Sequence, residues 1–353
     1  MEAFAVIMAG GSGTRFWPAS RRSLPKQYLP IGAAAPLVAQ TLARLEGVVL
    51  PERTLVVSAE SQAGALAQAL PNLPRENFLL EPVGRNTAPC LTWAALEIRR
   101  RCPDSVQLVL PADHVIRPVE RLRTSLLAGL EEARASGALV TFGIRPTRAA
   151  TGFGYIEVGE VAGLRGAEAV LEVRRFVEKP TAPRAQEFLN SGRFLWNAGI
   201  FAWRTDTILA ALERQLPAAV RALENFPVGG ELQAAYAGLP SIAIDVAVLE
   251  RESNVRTIPI EYFWSDVGSW TALADVLEAD SEGNRVSGGT ALANLDSRDN
   301  IVFGEPGQLI SLIGVENLVV VRAGDVVLVA TRERADEVRA LVERLAREAS
   351  PFV

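Results

Sequence analysis

Three observations predict an α/β fold with a mainly parallel sheet, followed by a small β domain. Short β-rich runs alternate with helical segments from Ala3 to about Ala279, which is how helices come to cover both faces of a parallel sheet. The chain has 353 residues, of which 49% are hydrophobic, enough to core a large α/β unit and a smaller appendage. From Gly283 the texture changes to short β-like runs with little helix. The expected division is residues 1–282 and residues 283–353, with no strict repeat or long flexible linker marking the boundary.

Taken in order, the first strand is Phe4 to Met8, the next helix lies near Pro36 to Leu45, and strand Thr54 to Ser58 leads to a helix near Ser61 to Leu70. After the loop Glu81 to Pro89, Asn86 or Thr87 caps a helix with Pro89 in its first turn. That helix closes at Arg99-Arg100-Arg101, before Pro103. Strand Val106 to Leu110 runs into Pro111-Ala112-Asp113-His114; a helix near Arg121 to Ser136 and strand Ala138 to Gly143 follow. Beyond Gly283 the β-like runs are Thr290 to Leu295, Asn300 to Phe303, Gln308 to Gly314, Asn317 to Arg322 and Asp325 to Ala330. A terminal amphipathic helix, Arg334 to Glu348, carries Val338, Leu341, Val342 and Leu345 on one face and reads as packing, not chemistry.

The net charge of −5 and pI near 5.3 argue against nucleic acid or an anionic membrane as partner, while allowing a local basic pocket for a small phosphorylated ligand. The N-terminus has no basic region before its apolar stretch, and no stretch reaches about 18 uninterrupted apolar residues, so the chain reads as cytoplasmic. Cys90 and Cys102 are separated by a helix that would hold them roughly 18 Å apart, too far for a disulfide, and they lack metal spacing. A single histidine, His114, cannot build a multi-histidine metal site and gives little scope for a histidine triad.

The motifs narrow the chemistry. Gly10-Gly11-Ser12-Gly13, after the first strand, lets the backbone turn tightly and aim successive amides at an anion. It is neither a Walker loop, for no Gly-Lys-Ser/Thr follows, nor the dinucleotide fingerprint, for Phe16 stands where the third glycine belongs. A plain turn is the alternative; Arg15, and Lys26 eleven residues on, strengthen the phosphate reading. Lysine occurs only at Lys26 and Lys179, against thirty-four arginines, and a compact ammonium suits a crowded phosphate site better than a planar guanidinium. Asp113 follows a strand's carboxyl end, where open α/β sheets bind ligands, although a turn-capping aspartate would look the same. Asp266, between bulky aromatics and a glycine, is a second carboxylate, and two aspartates converging on phosphate oxygens suit Mg²⁺. His114 is more simply a hydrogen-bonding bystander. Glu178-Lys179 reads either as a sugar-phosphate contact or as a surface ion pair. Asn197 offers an amide and Gly154 a close backbone approach. Glu81 is either an exposed loop residue or an acceptor for the adjacent N1–H and N2–H donors of guanine.

Taken together, Gly10 to Gln27, Glu81 to Pro89, Pro111 to Ile116, Phe176 to Pro180, Leu195 to Phe201 and Trp264 to Trp270 resemble the mannose-1-phosphate guanylyltransferases (GDP-mannose pyrophosphorylases) among sugar nucleotidyltransferases. The resemblance covers nearly the whole chain and implies a Rossmann-like, GT-A-like domain that joins GTP and mannose 1-phosphate to give GDP-mannose and pyrophosphate. It implies Arg15 and Lys26 as catalytic cations and Asp113 and Asp266 as Mg²⁺ ligands. Ala9, Gly10, Gly11, Ser12, Gly13, Thr14, Glu81, Gly84, Asn86, Thr87 and Ala88 would hold the nucleotide, and Gly154, Glu178, Lys179 and Asn197 the sugar phosphate. Some relatives carry a short left-handed β-helix in this C-terminal region, which residues 283–330 fit loosely, and a homodimer through it is expected. Longer relatives append a phosphomannose isomerase domain; the sequence ends at Val353 without one, so isomerase activity is not expected. The alternatives are a nucleotidyltransferase for another hexose or base, and a catalytically silent nucleotide-sugar-binding subunit. The presence of Arg15, Lys26, Asp113 and Asp266 weighs against the silent subunit.

Overall fold

A computed structural model describes residues 1–11, 13–21, 24–224 and 232–352. Strand β1 (Glu2–Met8) lies between β2 (Thr54–Ala59) and β4 (Ser105–Pro111), with β3 (Phe78–Glu81) outside β2, and all four run parallel. Side chains alternate across the sheet. Ala5 and Ile7 enter the core beneath α1 (Leu37–Arg44), α2 (Ala63–Ala69) and α4 (Val119–Ser136). Phe4 and Val6 enter the opposite core, against Leu91, Ala94 and Ile98 of α3 (Thr87–Arg101). Burial on both faces explains why these strands read as nearly continuous apolar runs. Helix α3 is capped as expected, the Asn86 side chain accepting from the Thr87 N–H at 2.8 Å. Helix α4 begins two residues before the expected Arg121, because extended Pro118 serves as its N-cap.

The nine-stranded sheet continues from β4 through β9 (Phe194–Arg204), β6 (Leu139–Ile144) and β10 (Val255–Ile260) to the hairpin of β8 (Glu168–Val177) and β7 (Tyr155–Arg165). β6 and β10 are parallel, whereas β9 runs antiparallel to both β4 and β6. A separate short ladder pairs β5 (Val115–Arg117) with β11 (Phe263–Ser265), Val115 facing Ser265. This ladder sets the Asp113 segment beside the Asp266 segment.

Past Gly283 the backbone coils. Successive parallel partners lie 18 residues apart, Ala291 beside Leu309 and Ile301 beside Val319, with a 16-residue step from Arg285 to Ile301. The uneven first step accounts for the blurred six-residue periodicity. Buried Asn284 and Asn300 brace the coil: Asn300 Nδ2 donates to Asn284 Oδ1 at 2.9 Å, and Asn300 Oδ1 accepts from the Leu318 N–H. The terminal segment opens as a 3₁₀ turn, Arg332–Glu337, and becomes α-helical only over Val338–Arg347.

The coil packs on the turn after the glycine loop through Trp270. Phe16 and Trp270 meet at 4.7 Å between ring centroids and Trp270 meets Phe303 at 5.2 Å, in a cluster that includes Val319 and Val338. Phe16 and Trp270 are fully buried, each stabilising the junction by about 2–3 kcal/mol relative to exposure.

Candidate active site

The glycine loop leaves β1 with its backbone braced by side chains, Gln27 foremost. Gln27 Nε2 donates to the carbonyls of Ala9 at 2.6 Å and Gly11 at 3.2 Å. Gly13 has φ +61°, and a Cβ there would lie 2.5 Å from the Lys26 backbone nitrogen. Only glycine fits, since the left-handed backbone and the contact both exclude a side chain. Ser12 lies outside the described residues.

Lys26 is buried, and its ammonium is fully engaged. Nζ lies 2.7 Å from Asp113 Oδ2 and donates to the carbonyls of Asp266 at 2.7 Å and Val267 at 3.0 Å. An ammonium has three donors, so this lysine ties the loop to both aspartate segments. Val267 holds φ +44°, a strained value for a β-branched residue, and the Lys26 bond to its carbonyl helps fix it there. Arg15, by contrast, is exposed and has no ion-pair partner among the described residues.

Two cavities flank this hub. One, of about 610 Å³, is lined by Gly13, Thr14, Arg15, Lys26 and the C-terminal helix. The other, of about 440 Å³, is lined by Ala9, Gly10, Gly11, Glu81, Gly84, Asn86 and Thr87 at one end and by Gly154, Glu178, Lys179 and Asn197 at the other. The two share Asp113, His114 and Asp266. Ala88 lines neither: it is fully buried, and its N–H donates to the Ile242 carbonyl.

Burial alone would raise the Asp113 pKa, but Lys26 and His114 beside it bring it below the ordinary carboxylate value, so it is ionised near neutrality. Its side chain remains 35% exposed toward the cavities. His114 is kept neutral chiefly by burial. Its Nδ1 accepts from Trp264 Nε1 at 3.2 Å, placing the ring proton on Nε2, so the bystander orients Trp264. Glu81 ends β3, buried, and burial pushes its pKa up to about 7, outweighing a lowering from nearby Tyr236. Among the described residues, neither its Oε1 nor the Tyr236 hydroxyl has a hydrogen-bond partner. A buried acceptor without a donor is costly unless a ligand supplies one.

At the other end, a Cβ on Gly154 would sit 2.6 Å from Glu178 Oε2, so glycine makes room for that carboxylate. Lys179 Nζ pairs with Glu178 at 2.6 Å, and the lysine is exposed with φ +44°. The Asn197 side chain is already committed: Nδ2 donates to Asp245 Oδ1 at 2.8 Å, and Oδ1 accepts from Thr141 Oγ1 at 2.9 Å.

Sequence reasoning missed Asp245 and Gln27 as site residues. Asp245 lines the second cavity, and burial together with the neighbouring Glu178 raises its pKa to about 7. Its signal was a lone carboxylate inside the apolar run Ile242 to Leu249, where an unpaired charge is unfavourable. Gln27 had no signal beyond adjacency to Lys26.

The nucleotidyl transferase family model matches residues 4–283, and that of the mannose-phosphate isomerase/GMP-like β-helix domain matches residues 291–345. Fold and site thus define a nucleotidyltransferase carrying a β-helix-like appendage. The Xanthan biosynthesis protein XanB of Xanthomonas campestris is 39% identical over 98% of this chain and 73% of its own length. Mannose-1-phosphate guanylyltransferase of Escherichia coli is 38% identical over 97% of this chain and 73% of its own. A crystal structure from Thermus thermophilus, solved as a "mannose-1-phosphate geranyltransferase", superposes with a TM-score of 0.88 at 38% identity, covering 98% of this chain and all of that one. The chain belongs to the mannose-1-phosphate guanylyltransferase family. Nucleotidyltransferases of this family generally use a divalent metal. Among the described residues no helix is long and apolar enough to cross a membrane, and both cysteines are free.

Proposed function

We propose that this chain transfers GMP from GTP to mannose 1-phosphate, releasing pyrophosphate, with residues 1–282 supplying the chemistry. The observation that carries this reading is the meeting of two cavities at Asp113 and Asp266, one lined by Gly13, Thr14, Arg15 and Lys26 and the other by Gly10, Gly11, Glu81, Glu178 and Lys179. GTP would lie across the junction, guanine toward Glu81, the ribose near Asn86 and Thr87, and the leaving pyrophosphate beside Arg15, Thr14 and Gly13. Mannose 1-phosphate would enter beside Gly154, Glu178 and Lys179, where Asn197 holds Asp245 against the sugar.

The donor set at the junction fits Mg²⁺. Asp113 and Asp266 supply hard oxygens, and a Cβ on Gly268 would lie 3.0 Å from Asp266 Oδ2, so glycine keeps that carboxylate's surroundings open. No group of three or more candidate ligands occurs among the described residues, which suits an ion that retains waters and binds phosphate oxygens. Mg²⁺ held there would offset phosphate charge and favour departure of pyrophosphate.

A sugar-phosphate oxygen attacks the α-phosphorus in line with the leaving pyrophosphate, and no protein nucleophile is required. A phosphate monoester is already largely ionised near neutrality, so no general base is needed either, consistent with a neutral, occupied His114. The protein's contribution is alignment and charge offset. The enzyme would act in the cytoplasm. The exposed Leu309 and Ile313 on one ladder of the coil, and Val327 and Val329 on another, support a homodimer through the coil; a monomeric mass in light scattering would count against it.

Pyrophosphate release measured with each nucleoside triphosphate and several hexose 1-phosphates tests the assignment, and absence of preference for GTP with mannose 1-phosphate would sink it. Glu81→Gln is expected to raise the KM for GTP at least about tenfold, roughly 1.4 kcal/mol, because one carboxamide cannot accept from both guanine donors. The same variant reports on pH. Folded Glu81 keeps its proton up to about pH 7, whereas a free glutamate releases it near 4.5. The stability gained from holding that proton is full below 4.5 and is lost as pH rises through 7. Ligand-free Glu81→Gln should therefore melt about 3 °C or more above wild type at pH 8 and close to it at pH 4.5. Equal offsets at both pH values would refute the shifted carboxyl. Lys179→Arg should raise the KM for mannose 1-phosphate at least about tenfold, with the KM for GTP unchanged; a shift in the GTP constant instead would move Lys179 out of the sugar site.

A further inference from the structure

The exposed face of the C-terminal helix Val338–Arg347 forms part of the cavity wall beside the turn Thr14–Phe16, with Arg339 and Glu343 facing the cavity that Arg15 and Lys26 line. We propose that this helix closes the pyrophosphate end of the site and that Arg339 is a phosphate ligand, an inference that rests on the guanylyltransferase reading.

The argument starts from charge. A triphosphate tail brings several negative charges into the cavity, yet the buried Lys26 ammonium has all three donors committed to Asp113 and two carbonyls. The phosphates must therefore find other cations. Among the described residues, those facing the cavity are Arg15, Arg21, which lies 3.3 Å from Asp325, and Arg339, which lies 3.0 Å from Glu343. The Arg339–Glu343 side chains are 65% and 61% exposed, and an ion pair in that setting contributes little, so it exchanges readily for a polyphosphate. A guanidinium also matches phosphate oxygens with a bidentate fork.

The helix presents this cation from a fixed position. Val338 is buried, Leu341, Val342 and Leu345 pack on the cluster containing Phe16 and Trp17, and Trp17 Nε1 donates to the Phe352 carbonyl at 2.7 Å. Glu343, one turn beyond Arg339, competes with phosphate for the guanidinium and repels the anion. It therefore favours release of pyrophosphate once the α-bond has broken.

Titration calorimetry of the whole chain with inorganic pyrophosphate tests the site directly. Arg339→Ala should weaken binding at least fivefold and raise the KM for GTP similarly, leaving the KM for mannose 1-phosphate unchanged. Glu343→Gln should tighten pyrophosphate binding. Arg344→Ala, which removes a surface arginine paired with Glu348 and absent from this cavity, should match wild type. Failure of the wild-type chain to bind pyrophosphate, or wild-type affinity in a folded Arg339→Ala, would overturn the proposal. If Arg339→Ala binds pyrophosphate weakly while wild type makes no GDP-mannose from GTP and mannose 1-phosphate, the helix site stands and the guanylyltransferase reading falls.

Discussion

Lys26→Arg is expected to lose at least about 100-fold in kcat/KM, roughly 2.7 kcal/mol, although it preserves charge. The ammonium sits within 3.0 Å of three separate oxygens, one on Asp113 and two on the Asp266–Val267 backbone. A planar fork cannot reproduce three convergent bonds from a single point. Space is short as well, since Gly13 packs on the Lys26 backbone and the side chain is only 9% exposed; overpacking such a site costs about 1–3 kcal/mol. The variant should therefore melt below wild type, because Val267 loses a bond that holds its strained backbone. Steady-state kinetics with a thermal melt check both effects. Wild-type values in each would mean that Lys26 owes its identity to neither phosphate nor packing.

Asp266→Asn and Asp113→Asn should each lower kcat at least about 100-fold and raise the divalent-metal concentration needed for half-maximal rate. Their stabilities should differ. Lys26 binds the backbone carbonyl of Asp266, not its carboxylate, so Asp266→Asn leaves the hub intact and should melt near wild type. Asp113→Asn removes the carboxylate that, among the described residues, alone pairs with the buried ammonium, and an unpaired buried charge is destabilising. Rate against Mg²⁺ concentration, measured beside thermal melts of both variants, separates the two. An Asp266→Asn enzyme with the wild-type rate and metal dependence would remove that residue from the metal site.

Much of the first half of the fold was legible because its strands are buried on both faces and its helices carry local signals, such as the Asn86 cap and the arginines closing α3. The hairpin β7–β8 was less so, since its solvent-facing residues break the apolar runs that mark the inner strands. The C-terminal helix was half legible. Its apolar face told of packing, and that face does pack, but the polar face looked like any solvated surface and instead walls a cavity.

Sequence alone determined which residue types the chemistry has to work with: two lysines in two motifs, one histidine, a glycine loop after the first strand, and carboxylates in Asp113, Asp266 and Glu81. Those are local properties, fixed by residue identity and near neighbours. Tertiary structure decided which of them meet. The three-residue ladder β5–β11 is too short to announce itself in sequence, yet it brings Asp266 beside Asp113 and gives Lys26 its three acceptors. Asp245 reaches the second cavity only because the start of the π-helical segment Asp245–Leu249 faces Asn197 and Glu178. Contacts between distant segments depend on how sheet edges and core clusters pack, and that information is spread over the whole chain.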